Sequence, residues 1–130
     1  MKKILPFLIV IVLIAGCKKT GLSPDGPTDI RIHNATADKV FENVVVNTSA
    51  GEHNYGAIQP GLYTGYLRFD KAYPEADITL TINGVTYTAG PQNYTFATYI
   101  GQFRITYELS ILDEATKKLK IETLHEGPLQ

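Results

Sequence analysis

From Thr28 onward, apolar and polar residues alternate with period two, the pattern of half-buried strands, and no stretch sustains the 3.6-residue period of an amphipathic helix. The clearest segment runs from Asp77 to Thr88, where Asn83-Gly84 interrupts the alternation. Asn-Gly between alternating apolar residues predicts a two-residue hairpin turn, because a type I′ turn needs positive φ at both central positions. That turn pairs Ile82 with Val85, Thr81 with Thr86, Leu80 with Tyr87 and Thr79 with Thr88. Ile78, Leu80, Ile82, Val85 and Tyr87 then share one face, and the cross-strand threonines share the other. A second strand is predicted at Phe103 to Ile111, apolar at every odd number and polar at every even one. The loop Asp113 to Lys118 returns it into Leu119 to Leu124. Earlier strands are predicted at Asp29 to Asn34, Glu42 to Thr48 and Tyr63 to Asp70, with a short edge segment within Glu52 to Ile58. Helical turns have room only at Ala35 to Val40 and Glu114 to Lys118. About seven short strands, punctuated by turn residues, predict an all-β fold built as an antiparallel β-sandwich.

Gln59-Pro60-Gly61-Leu62-Tyr63-Thr64 is a turn followed by an aromatic: Pro60 fixes φ and Gly61 accepts a positive φ. It resembles the Pro-Gly-x-Tyr lead-in to a strand found in immunoglobulin-like and prealbumin-like sandwiches of secreted proteins. The resemblance implies a sandwich of one of those kinds and carries no activity.

The first residues follow a different pattern. Lys2 and Lys3 precede an uncharged apolar run of twelve residues, Ile4 to Ala15. A bilayer-spanning helix needs about 20 apolar residues, so this run has the length of an export signal and not of a permanent anchor. It ends in Leu13-Ile14-Ala15-Gly16-Cys17, which resembles the lipobox of bacterial lipoproteins. The resemblance implies a signal peptide over 1–16, cleavage before Cys17, and a diacylglycerol joined to the Cys17 sulfur. Residues 17–27 are then the lipidated Cys and a tether, and 28–130 the β-sandwich domain. Lys18 to Pro27 carries two Pro, two Gly and little apolar content, the composition of a flexible link with a root-mean-square span of roughly 15–20 Å. In lipoproteins of this kind, Asp directly after the Cys favours the inner membrane, and an acidic run behind it directs surface export in some bacteria. Lys18-Lys19 fits neither, which implies an outer-membrane anchor with the domain facing the periplasm. Lipobox, short tether and single domain together resemble the small uncharacterised bacterial lipoproteins of the envelope.

Cys17 is the only cysteine, so no intramolecular disulfide can form and the core alone must hold the domain. Without Lys2 and Lys3 the mature chain keeps ten basic residues against 13 acidic ones, which argues against nucleic acid as a partner. No zinc-protease motif, phosphate loop or nucleophile elbow is present. His33, His53 and His125 have no ligand spacing, and Lys71 interrupts the acidic set Asp70, Glu75 and Asp77. No metal or cofactor is therefore expected beyond the covalent lipid.

Aromatic composition supplies the positive signal. Eight tyrosines and no tryptophan are present, and Tyr55, Tyr66, Tyr73, Tyr94 and Tyr99 fall outside the predicted inward positions. The connection from Ala89 to Gly101 is long and rich in aromatics and amides, a composition suited to contact surfaces of low entropy cost. Tyr66, Tyr73, Tyr94 and Tyr99 are the candidate partner-binding residues, for an envelope protein or a glycan. The same connection has a structural alternative, an extra edge strand whose Tyr94, Phe96 and Tyr99 cover the sandwich. Two classes of function follow: a non-enzymatic binding or accessory module at the membrane, or a hydrolase or metal-dependent enzyme assembled from His53, Asp70, Glu75 and Asp77. The missing catalytic motifs favour the first. Replacing Cys17 by Ser should abolish lipidation and leave an unprocessed or mislocalised precursor, checked by metabolic lipid labelling and membrane fractionation; normal processing and membrane retention would refute the lipoprotein assignment.

Overall fold

The alternating pattern becomes eight strands: Thr28–Asn34 (β1), Glu42–Asn47 (β2), Glu52–Asn54 (β3), Leu67–Phe69 (β4), Asp77–Ile82 (β5), Val85–Thr88 (β6), Phe103–Asp113 (β7) and Lys118–Pro128 (β8). The structure, a computed structural model, describes residues 26–129. The signal segment Met1 to Gly16, Cys17 and the tether as far as Asp25 lie outside the described residues. Among the described residues there is no helix, and hence none long and apolar enough to cross a membrane.

All eight strands join one sheet in the order β3-β2-β5-β6-β8-β7-β1-β4. This differs from the expected antiparallel sandwich of about seven strands: the sheet is single and mixed, with parallel pairs β1–β7 and β6–β8, and it curls until it is nearly closed into a barrel. Period-two alternation marks which side of a strand is buried, but it does not choose the strand's neighbour. Only β2–β3, β5–β6 and β7–β8 pair as sequence neighbours. The predicted hairpin does form, with Ile82 opposite Val85 and Leu80 opposite Tyr87, and Asn83 and Gly84 at φ of 53° and 79°.

Strand direction reverses at every connection, so the odd-numbered strands begin, and the even-numbered strands finish, at one end of the sheet. The near end therefore carries the start of β1 and the β2–β3, β4–β5 and β6–β7 connections. The far end carries the other four connections. Ile30, Ile32, Val44, Val46, Ile78, Leu80, Ile105, Tyr107 and Leu109 fill the interior between them, each at most 1% exposed.

The two edge strands have three residues each, which leaves little unpaired backbone. Side chains close the gap where the edges meet. His53 Nε2–H donates to the Arg68 carbonyl at 2.8 Å, which requires the proton on Nε2, and the His53 ring meets Phe69 edge-on at 4.7 Å. From inside, the Tyr55 hydroxyl donates to the Ile30 carbonyl at 2.7 Å.

β4 is shorter than predicted because residues 59–66 run as a strap beside β1. Leu62 carbonyl accepts from Asn34 N–H at 3.0 Å, and Thr64 N–H donates to Ile32 carbonyl at 2.9 Å. Pro60 and Gly61 make the predicted turn, closed by Leu62 N–H to Gln59 carbonyl at 3.1 Å. Asn34, fully buried, organises this far end: its amide donates to the Lys39 and Ile58 carbonyls, and its side-chain oxygen accepts from Thr36 N–H and hydroxyl. A buried amide with every hydrogen bond made is costly to remove, because each former partner is left unpaired. Replacing Asn34 by Ala should therefore destabilise the domain by about 2–3 kcal/mol in urea unfolding; a change under about 0.5 kcal/mol would show that the network contributes nothing.

Candidate functional site

Two connections at the near end form a groove. The first, between β4 and β5, is drawn inward: Ala72, Tyr73 and Ala76 are buried. Its backbone is held by side chains of the long hairpin. The Tyr107 hydroxyl donates to the Tyr73 carbonyl, and the Thr123 hydroxyl to the Pro74 carbonyl. Tyr107 is fully buried, so its hydroxyl must find an acceptor, and the connection supplies one.

The second, between β6 and β7, lies over the first through Ile100 N–H to Ala72 carbonyl at 2.7 Å. Its start is fixed by Asp77, whose carboxylate accepts from Gln92 N–H at 2.5 Å. The chain passes so close to Asp77 that a Cβ on Gly90 would lie 2.1 Å from the carboxylate oxygen, so any larger residue would have to displace the Asp77 side chain that holds Gln92 N–H. Beyond Gln92, the Asn93 side-chain oxygen accepts from Thr95 N–H at 2.9 Å, and Ala97 N–H donates to the Tyr94 carbonyl at 3.1 Å to close a turn with Phe96 at its tip.

Three of the four candidate tyrosines meet here. Tyr94 stacks on Tyr73 with centroids 4.3 Å apart, Tyr99 tilts against Tyr73 at 5.0 Å, and the Lys71 ammonium sits 4.9 Å from the Tyr99 ring. Tyr73, Pro74, Glu75, Gln92, Asn93, Tyr94, Ala97 and Thr98 line a groove of about 290 Å³ beside them. Segment 89–102 contains no strand, and Phe96 is 95% exposed, so the edge-strand alternative does not describe it. Tyr73 is the wall, and Tyr94 and Tyr99 are half-buried against it.

Tyr66 lies elsewhere. It does not line the groove; its ring sits 5.1 Å from the Arg31 guanidinium and 5.6 Å from that of Arg104. Arg31 also covers Tyr63 at 4.3 Å, and Tyr63 stacks on His33 at 4.1 Å. Arg31 and His33 are further engaged by Thr106, Glu126 and Glu108, so this outer-face cluster is a linked array that pins the strap to β1 and β7.

The residues weighed for catalysis do not assemble. His53 is engaged at the sheet edges and Asp77 by Gln92 N–H, leaving Glu75 as the carboxylate on the groove. Among the described residues no three His, Cys, Asp or Glu side chains come together as a metal set. Sequence reasoning missed the groove-holding roles of Tyr107, Thr123 and Asp77. An inward-facing tyrosine carries a hydroxyl that needs a partner, and that was the one signal available for Tyr107.

Burial and the nearby Asp77 charge push the Tyr94 phenol up to about 12. A hydrogen bond donated by Tyr73 to the neighbouring Tyr99 and, secondly, burial raise Tyr73; burial raises Tyr55 and Tyr107 far above the ordinary phenol value. At neutral pH the groove therefore presents hydroxyl and amide donors, aromatic surface and one carboxylate.

No protein-family model matches the sequence, and no curated protein matches it. Among solved structures the chain is similar to the NMR structure of a protein from Eubacterium rectale, at 21% identity and a TM-score of 0.43, covering 73% of this chain and 87% of that one.

The folded state holds the Tyr94 proton more tightly than the unfolded chain does, so this phenol's contribution to stability is full below pH 10 and is lost as pH rises towards about 12. Tyrosinate absorbance should show Tyr94, Tyr55 and Tyr107 ionising late, together with alkaline unfolding. Tyr107→Phe should cost about 1–2 kcal/mol and move the Tyr94 titration back towards 10, because the wall it stacks on is released. An unchanged Tyr94 titration in that variant would show that the Tyr107 hydroxyl does not hold the groove.

Proposed function

We propose that this chain is a lipid-anchored envelope lipoprotein that works as a non-enzymatic binding or accessory module, with the tyrosine groove as its contact site. The anchor is the lipid on Cys17, and Lys18-Lys19 behind it support an outer-membrane location with the domain facing the periplasm. The observation that carries the binding role is the convergence of Tyr73, Tyr94 and Tyr99 on one groove. Aromatic faces with amide groups at their edges suit an envelope glycan or a protein segment: rings give contact area at low entropy cost, and Gln92, Asn93 and Glu75 provide directional hydrogen bonds. A tethered module does not need tight intrinsic affinity, because a short tether raises the effective concentration of partners in the same layer. Neither a cofactor nor a nucleic acid enters the scheme.

In the lipidated protein, a photo-crosslinker at exposed Thr98 should capture a discrete envelope component. Asn93→Ala and Tyr94→Ala should each lower that capture by about tenfold, the loss of roughly 1.4 kcal/mol of contact energy. Asn93 is exposed, so its variant should keep the unfolding midpoint of the parent, whereas Tyr94→Ala should cost about 1–2 kcal/mol of stability through the lost stacking. Capture unchanged in both variants would overturn the groove as contact site, and a hydrolytic activity abolished by Glu75→Gln would overturn the non-enzymatic role.

A further inference from the structure

The chain enters the domain beside the β6–β7 connection. The Thr28 hydroxyl donates to the Gly101 carbonyl, Gly26 packs on the Gln102 side chain, and Leu129 N–H donates to the Gln102 carbonyl at 3.2 Å. The same connection projects Phe96, 95% exposed, from the near end of the sheet. Other exposed apolar side chains such as Leu62 at 55% and Leu112 at 65% are partly covered and belong to the far end. Nothing in the described fold uses the Phe96 ring: its neighbours Thr95, Ala97 and Thr98 are exposed and uncharged. From Cys17 to Gly26 the chain can reach at most about 30 Å, even fully extended.

We infer that the Phe96 tip docks into the interface of the bilayer that holds the lipid, so that the domain stands with its tyrosine groove turned towards the membrane surface. This rests on the lipid anchor proposed above. One aromatic ring cannot recruit a soluble protein to a bilayer, but on a domain already confined within about 30 Å of it the same ring is enough to select one orientation. The surroundings set the depth. Thr95 and Ala97, on either side of the ring, can enter the headgroup layer without burying charge. Asp70 and Glu75, both exposed on the adjoining connection, keep that connection in water and limit contact to the tip. The partner is thus the lipid surface itself, met through hydrophobic insertion and not through a basic patch.

The chain contains no tryptophan, so Phe96→Trp places a single indole at the tip and Leu112→Trp one at the far end, both at exposed positions. Each full-length lipidated protein is reconstituted into vesicles of phosphatidylethanolamine and phosphatidylglycerol, with or without brominated acyl chains, and checked by flotation. The tip indole should emit at shorter wavelength and be quenched about twofold or more by the brominated chains, while the far-end indole should behave as in water. Flotation with an unquenched tip indole would overturn the docking alone, whether that indole stays in water or is covered by a second copy. Failure to float would instead remove the lipid anchor, and the docking with it.

Discussion

A phenol hydroxyl buried at the end of an apolar core must be hydrogen-bonded, and the near end of this fold is arranged around that requirement. Tyr107 lies wholly inside the barrel-like sheet, and the carbonyl that satisfies it belongs to Tyr73. That bond draws the β4–β5 connection across the mouth of the sheet and turns the Tyr73 ring into a fixed surface. Tyr94 and Tyr99 then have something to stack on, and the β6–β7 connection gains a floor. The groove is thus a consequence of closing the core, with side-chain hydroxyls of β7 and β8 holding backbone carbonyls that no strand partner reaches.

The same economy of ladder pairing governs the seam. A sheet of eight strands in one layer can bury its inner face only by curling on itself, and its edges must then meet without a disulfide, because the sole cysteine precedes the domain. β3 and β4 are too short to form a long ladder. His53, Tyr55 and Phe69 substitute for it, two through backbone carbonyls of β4 and β1 and one through ring contact. The Arg68–Asp29 pair adds a forked ion pair at 2.7 and 3.1 Å on the outside, but Arg68 is half exposed there, so its contribution is small beside that of the buried contacts.

What could be read from sequence follows from what local chemistry determines. The hairpin around Asn83-Gly84 was legible to the residue, because turn geometry and alternation demand one register. In β7 alternation alone marked Ile105, Tyr107 and Leu109 as inward, and all three are buried; Thr106 between them is buried as well, under Arg31 and Glu126. Neighbours were not: β1 beside β7 and β6 beside β8 join residues far apart in sequence, and alternation is silent on such pairings. That silence turned a single curled sheet into an expected sandwich. The tyrosine site was half legible. Surplus tyrosines in connections marked Tyr73, Tyr94 and Tyr99, but Tyr66 shared their composition and went to the arginines, since only the strand order decides which connections share an end.

Strict reversal of strand direction makes the two ends of the molecule unequal. At the far end the connections are consumed by structure: Asn34 bonds the backbone of two of them, the strap follows β1, and the hairpin turns have no length to spare. At the near end the β6–β7 connection is long enough to carry residues that the core does not need. Backbone that is pinned at Gly90, Gln92 and Ile100 but open between them can present Asn93, Tyr94 and Thr98 in a fixed arrangement at little entropic cost on binding. Because β1 begins at that same end, whatever holds the chain upstream of Thr28 also sets where this surface faces. The point where the chain enters the domain and the tyrosine groove thus share one end through nothing more than the odd or even numbering of the strands.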